Sequence, residues 1–96
     1  MTELTLISSR EQSLKPLVEG ALANEARLLE AGIRRTEQRL HEYEARFEMS
    51  TSEFLRRFED GVLEETLDFD EWIGEYRLLQ RLQEKLETLR GIEFAN

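Results

Sequence analysis

The chain has 96 residues, a formal net charge of −8 and no cysteine, and 35% of its residues are charged. A chain of this length forms one domain at most, and the lack of cysteine excludes disulfides and thiolate metal sites. The excess of carboxylates disfavours nucleic-acid binding, because phosphate contacts need clustered Lys and Arg. It favours a basic partner, or simple solubility.

Hydropathy gives no sign of a membrane span or a targeting segment. No run of about 18 apolar residues occurs, and the N-terminus lacks a basic stretch followed by an apolar one. We therefore expect a cytoplasmic protein. One proline and five glycines among many Glu, Leu and Arg residues favour helix over most of the chain.

Residues 1–12 are predicted to form a flexible or extended N-terminal arm. The stretch from Thr2 to Ile7 alternates Thr and Leu before it ends in Leu-Ile, a weak strand pattern that is too short for a sheet of its own. Two interpretations stay open. The arm is either a frayed terminus, or a segment that adds to the sheet edge of a partner or packs against it.

A single helical domain is predicted over 13–91, and its first helix over 14–47. Ser13 is the expected N-cap, because Pro16 is tolerated only in the first turn of a helix. From Ala26 onward the apolar residues recur at steps of three and four, a pattern typical of a seam against one long neighbour. Thr36 fills the gap in this seam between Ile33 and Leu40. The apolar stripe of the whole helix is Leu14, Val18, Leu22, Ala26, Leu29, Ile33, Leu40, Tyr43 and Phe47.

Two further features of the first helix concern its packing. Leu17, Ala21 and Leu28 form a second, shorter apolar stripe on an adjacent face. Gly20 and Gly32 each weaken the helix by about 1 kcal/mol relative to alanine, and they indicate positions where another helix can approach closely.

A short second helix is predicted from its start and stop signals. Ser50 and Glu53 form a capping box, in which the serine oxygen accepts the amide of Glu53 and the glutamate reaches back to the cap amide. Gly61 ends the helix, at the position where a left-handed residue is favoured. In the link that follows, Val62 and Leu67 are the candidates for burial.

The third helix is expected to be capped by Asp68, with Glu71 three residues later, and to end at Gly91. Residues 92–96 are expected to form a loose tail. The inward-facing residues of this helix recur at helical spacing. They are Phe69, Trp72, Ile73, Tyr76, Leu79, Leu82, Leu86 and Leu89.

Helix lengths predict an all-α hairpin that oligomerisation completes. The first helix spans about 50 Å and the third about 33 Å. Folded back antiparallel, the third helix covers the first only from about Ala26 to Phe47, and the short helix closes the hairpin end. Five apolar residues of the first helix are then left without an internal partner, and such a patch indicates an interface. They are Leu14, Leu17, Val18, Ala21 and Leu22.

No arrangement of residues indicates catalysis, a cofactor or a metal. A di-iron carboxylate bundle needs paired Glu-x-x-His motifs, but the single histidine, His41, has Gln38 at the required position. No nucleophile is suitably spaced from His41, no phosphate-binding glycine loop occurs, and no loop has the alternating ligands of a Ca²⁺ site. We expect no enzyme, no cofactor and no metal site, with His41 on a solvated flank.

The densest charge is a run of carboxylates with no Lys or Arg among them. Carboxylates in the first turn of a helix complement its dipole, which accounts for Asp68 and its neighbours without any function. The acidic residues of the link, Asp60, Glu64 and Glu65, are not explained in this way and are candidates for binding a basic partner. A solvated loop is the alternative. The whole run is Glu59, Asp60, Glu64, Glu65, Asp68, Asp70, Glu71 and Glu75.

Six aromatic residues fall at helical spacing on faces that converge on one corner of the predicted fold. Aromatic side chains dominate the cores of proteins of this size, so we expect a core here and not a ligand pocket. The six are Tyr43, Phe47, Phe54, Phe58, Phe69 and Trp72.

The corner from Tyr43 to Trp72 carries a family pattern: a tyrosine-bearing helix end, Met-Ser, Glu-Phe, Arg-Phe, a Gly-x-Leu loop and Asp-Phe-x-Glu-Trp. In this pattern the chain resembles small prokaryotic antitoxin-like proteins, the partners of small ribonuclease-like toxins in toxin–antitoxin pairs. Glu48 stands where that group usually has glycine, which makes the turn less dependent on glycine, and Val62 stands where it usually has an acidic residue. The matching residues are Tyr43, Glu44, Phe47, Met49, Ser50, Glu53, Phe54, Arg57, Phe58, Gly61, Leu63, Asp68, Phe69, Glu71 and Trp72.

The resemblance implies a non-enzymatic protein that binds and neutralises a small toxin, and the excess of carboxylates favours a basic one. The acidic link and the N-terminal half of the first helix are the candidate partner surfaces, with no membrane and no direct nucleic-acid contact. A structural homo-oligomeric coiled coil, in which the apolar residues from Leu14 to Leu22 pair with their own copy, is the alternative.

Overall fold

The computed structural model describes residues 3–9 and 14–94. In that part of the chain three α-helices follow one another: α1, Leu14–Phe47; α2, Thr51–Glu59; and α3, Leu67–Arg90. The prediction of an all-α helical hairpin is confirmed, and so are the predicted bounds of α1. The expected N-cap of α1, Ser13, lies outside the described residues.

Ion pairs along the hairpin show how α3 lies on α1. Asp68 in the first turn of α3 pairs with Arg46 near the end of α1, at 3.3 Å. Arg90 in the last turn of α3 pairs with Glu30, at 2.9 Å. The helices are therefore antiparallel, and α1 extends past the end of α3 by roughly 20 Å at 1.5 Å per residue. The molecule is elongated, with extents of 61 × 25 × 18 Å.

The two long helices approach closely at Gly32. A Cβ atom on this residue would lie 3.3 Å from a methyl carbon of Leu82. One turn on, the buried Thr36 donates its hydroxyl to the Gly32 carbonyl at 2.9 Å. The predicted close approach at Gly32 is confirmed. At Gly20 no described atom other than its own helix backbone and neighbours lies within 4 Å of the Cβ position.

The N-cap of α3 is Thr66, and the prediction of Asp68 was wrong. The Thr66 hydroxyl accepts the N–H of Phe69 at 3.1 Å. Threonine and aspartate are both good caps, and the two residues compete only two positions apart. Starting at Leu67, the helix takes Asp68 into its first turn, where the carboxylate complements the dipole.

The predicted burial of Val62 and Leu67 was also wrong, because their side chains are 70% and 74% exposed. Leu67 is the first residue of α3. Val62 donates its N–H to the carbonyl of Arg57, at 3.1 Å, as part of the end of α2. The link residue that packs against the core is Leu63.

Only one of the two hydrogen bonds of the predicted capping box forms at the start of α2. The Ser50 hydroxyl accepts the N–H of Glu53 at 3.1 Å, as expected. The Glu53 carboxylate does not reach back; it accepts hydrogen bonds from Arg56 at 2.6 Å and Arg57 at 2.8 Å. These hydrogen bonds lower the pKa of Glu53 to about 2. Two guanidinium groups outcompete a single amide for one exposed carboxylate.

Candidate interaction surfaces

The hairpin end is closed by a buried aromatic cluster. Trp72 and Phe54 are fully buried, and their rings lie parallel with centroids 3.9 Å apart. Tyr43 and Phe47 of α1 stack on the indole of Trp72 at 5.6 and 5.8 Å. Phe69 meets the Phe47 ring edge-on at 5.1 Å. The prediction that these aromatic residues form the core is confirmed.

A polar chain inside this cluster joins all three helices at Thr51. The indole N–H of Trp72 donates to the Thr51 hydroxyl at 3.0 Å. The backbone N–H of Thr51 donates to the carboxylate of Glu44 at 2.7 Å. This role of Thr51 was not predicted from the sequence. The available signal was that a buried tryptophan needs an acceptor for its N–H.

Glu44 and His41 form the outer part of the same chain. Burial raises the pKa of Glu44, but the hydrogen bonds from Thr51 and His41 outweigh that effect and leave it below the usual value. The His41 ring lies 3.0 Å from the Glu44 carboxylate, with its side chain 78% exposed. The expectation that His41 lies on a solvated flank is confirmed.

Three carboxylates of the acidic run bond to α1. Asp68 pairs with Arg46, as described above, and Glu75 accepts a hydrogen bond from the guanidinium of Arg39 at 3.2 Å. Glu71 accepts the Tyr43 hydroxyl at 3.1 Å. Burial and this hydrogen bond to Glu71 raise the pKa of Tyr43. These carboxylates hold the hairpin together and are not free for a partner.

The acidic residues of the link face outward. Asp60, just after the end of α2, lies 3.5 Å from Arg56 of that helix, with both side chains more than half exposed. Glu64 and Glu65 are exposed, and the described residues provide no ion pair to either of them. Asp60 is thus partly neutralised, whereas Glu64 and Glu65 carry uncompensated charge. Their role in binding a partner stays a prediction.

The five apolar residues predicted to form an interface lie on two faces of α1. Leu14, Val18 and Leu22 are half-buried, whereas Leu17 and Ala21 are exposed; the Leu17 side chain is 64% exposed. Near the start of α1 the ammonium of Lys15 lies 5.9 Å from the centre of the Phe94 ring. Partner binding by these residues stays a prediction.

The structure does not bring the acidic link and this apolar segment together. The segment is at the free end of α1, and the link follows α2 at the closed end of the hairpin. The 25 residue steps from Leu22 to Phe47 alone correspond to about 38 Å of helix. The two candidate surfaces therefore lie at opposite ends of the hairpin.

The described residues contain no group of three or more His, Cys, Asp or Glu side chains arranged to hold a metal ion. None of the described helices is long and apolar enough to cross a membrane.

An open groove of about 620 Å³ lies where the last turns of α3 meet the part of α1 around Leu29. Leu29, Leu89 and five polar or charged residues line it.

Comparison with known proteins adds no family. No family model matches this chain, and neither a curated protein nor a solved structure matches it.

Proposed function

We propose that this protein is a non-enzymatic binding subunit whose acidic link receives a small, basic protein, and that it neutralises a toxin of that kind. The observation that carries the proposal is the uncompensated charge of Glu64 and Glu65 at the outer edge of the closed hairpin end. The other carboxylates of the run that lie on the inner side are already bonded to α1.

The aromatic corner gives these carboxylates a firm base. The link leaves α2 at Gly61 and enters α3 after Thr66, and both ends are fixed by hydrogen bonds. Leu63, between them, packs against the aromatic cluster. A charged surface held in one place needs little ordering when it binds, so less of the binding energy is lost to entropy.

Charge also suggests how binding starts. Exposed carboxylates act mainly by steering the encounter, and a net charge of −8 extends that attraction to a basic partner. The partner to test is the purified protein encoded by the neighbouring gene, as in toxin–antitoxin pairs.

We expect the variant Asp60→Asn/Glu64→Gln/Glu65→Gln to keep its fold and to associate about ten-fold more slowly at low salt, with a smaller change in dissociation. Stopped-flow association at two salt concentrations measures this. The control Glu37→Gln/Glu84→Gln/Glu87→Gln changes the net charge equally, at exposed positions away from the link.

The outcome of this comparison is decisive. Slower association of the link variant, with the control close to wild type, supports binding at the acidic link. Equal slowing of both variants means that only net charge matters. If neither variant nor salt changes the rate, the acidic run is a solvated loop and the proposed function is wrong.

A further inference from the structure

Near its free end α1 carries a stripe of exposed residues, three of them apolar, along one face. It consists of Leu17, Ala21, Asn24 and Leu28, at steps of four, three and four residues. Leu17 and Leu28 are 64% and 59% exposed, and Ala21 and Asn24 are exposed as well. Isolated exposed leucines are common, but a heptad-spaced row on one helix face is the pattern by which helices pair.

We propose that this stripe pairs with the same stripe of a second copy of this chain, antiparallel, about a two-fold axis that passes between Ala21 and Asn24. Because the spacing of the stripe is symmetric about its centre, Leu17 of each copy then lies beside Leu28 of the other. A two-fold contact must be self-complementary in this way.

Asn24 supports a second copy as the occupant. Its side-chain oxygen accepts from Arg27 at 3.2 Å, and the structure shows no acceptor for its amide N–H groups among the described residues. In the antiparallel pair the two Asn24 side chains lie on either side of the axis, about 4.5 Å apart along the helices. Each amide can then bond the other, and a polar residue within an apolar seam typically fixes helix pairing.

The distribution of charge also favours a second copy of this chain, and favours antiparallel over parallel pairing. The segment from Leu14 to Leu28 holds two cations, Lys15 and Arg27, and two anions, Glu19 and Glu25, so it has no net attraction for a basic protein. A parallel pair would set the two acidic links side by side. The antiparallel pair holds them on the order of 80 Å apart, far beyond the screening length of about 10 Å at 0.1 M salt.

The groove between the helix ends continues this surface. It is lined by Leu29 of α1 and Leu89 of α3, and by Glu25 beside the stripe. The first turns of α1 from the second copy reach this groove in the antiparallel arrangement. Because one helix pair of about 17 Å buries little area, we expect a dimer that dissociates in the micromolar range.

Sedimentation of the isolated protein over a concentration series tests the pairing. We expect a mass approaching twice the 11.4 kDa of the chain for wild type, and a monomer for Leu28→Glu. Leu67→Glu is the matched control, since Leu67 is equally apolar and 74% exposed at the opposite end of the hairpin. Circular dichroism establishes that both variants remain helical. A monomeric wild type, or a dimer that Leu28→Glu leaves intact, would overturn the proposal.

Direction is tested by cross-linking, which is clean because the chain has no cysteine. With a short bismaleimide, Leu17→Cys/Leu28→Cys should give a covalent dimer, whereas Leu17→Cys alone should not, because its two copies lie about 17 Å apart. Within one chain the two cysteines are separated by a similar distance. Cross-linking of Leu17→Cys alone indicates a parallel pair and contradicts the proposal, as does the absence of any cross-link in the double variant. This test uses the protein without a partner, so its result is independent of the proposed function.

Discussion

At the scale of single residues, two buried threonines show that the degree of burial does not tell how much a side chain contributes to stability. Thr36 is 1% exposed and Thr51 is 8% exposed. Thr36 donates to a carbonyl of its own helix, whereas Thr51 accepts the only hydrogen bond that the fully buried Trp72 indole makes. The Thr36 hydroxyl adds one hydrogen bond to a helix whose backbone bonds are already formed. The Thr51 hydroxyl accepts from an indole N–H that water cannot reach.

The same substitution should therefore destabilise the protein much more at Thr51 than at Thr36. We expect Thr51→Val to cost about 1–3 kcal/mol, because the indole N–H loses its acceptor while the volume stays the same. Thr36→Val should be close to neutral, since no buried donor is left unpaired. Denaturant unfolding of both variants measures the difference. Equal losses at the two positions would show that the Thr51 hydroxyl contributes no more than packing.

At the scale of helices, α1 and α2 end in the same way. The N–H of Met49 donates to the carbonyl of Glu44 at 3.3 Å, and that of Val62 donates to Arg57 at 3.1 Å. Both bonds close the turn through a residue of positive φ. That residue is Gly61, with φ of 70°, after α2, but Glu48, with φ of 53°, after α1.

Glu48 thus occupies a position that favours glycine, and the expectation that the turn is less dependent on glycine was wrong. Because a side chain in the left-handed region costs about 1–2 kcal/mol, we expect Glu48→Gly to stabilise the protein by about 1 kcal/mol. Gly61→Ala should destabilise it by a similar amount. Each change corresponds to a shift of about 4–8 °C in Tm, measured by thermal denaturation. A lower Tm for Glu48→Gly would show that the Glu48 side chain has a stabilising contact.

Helix ends also show what the sequence can and cannot predict. Ser50, Gly61 and Gly91 act through bonds within a few residues, so their signals are local and the helix bounds follow from them. Thr66 and Asp68 give equally good local signals for an N-cap. Which of them caps α3 depends on how the helix meets α1. The pairing of Thr51 with Trp72 spans 21 residues. No local signal encodes such a contact.

At the scale of the whole molecule, the hairpin has two unlike ends. The closed end holds the aromatic cluster and, around it, the acidic link. The open end holds the part of α1 that α3 does not cover, with its exposed stripe. The length difference between the helices, which the sequence predicts, produces this division. The separation of the two candidate surfaces follows only once α3 is placed on α1.

We expect the acidic link to bind the partner and the α1 stripe to bind a second copy of this chain. The mass of the complex with the protein encoded by the neighbouring gene, measured by sedimentation velocity, reports on both contacts at once. We predict two copies of each protein for wild type, and one of each, bound with unchanged affinity, for Leu28→Glu. Loss of the partner from Leu28→Glu would contradict this division, because the partner would then occupy the stripe of α1.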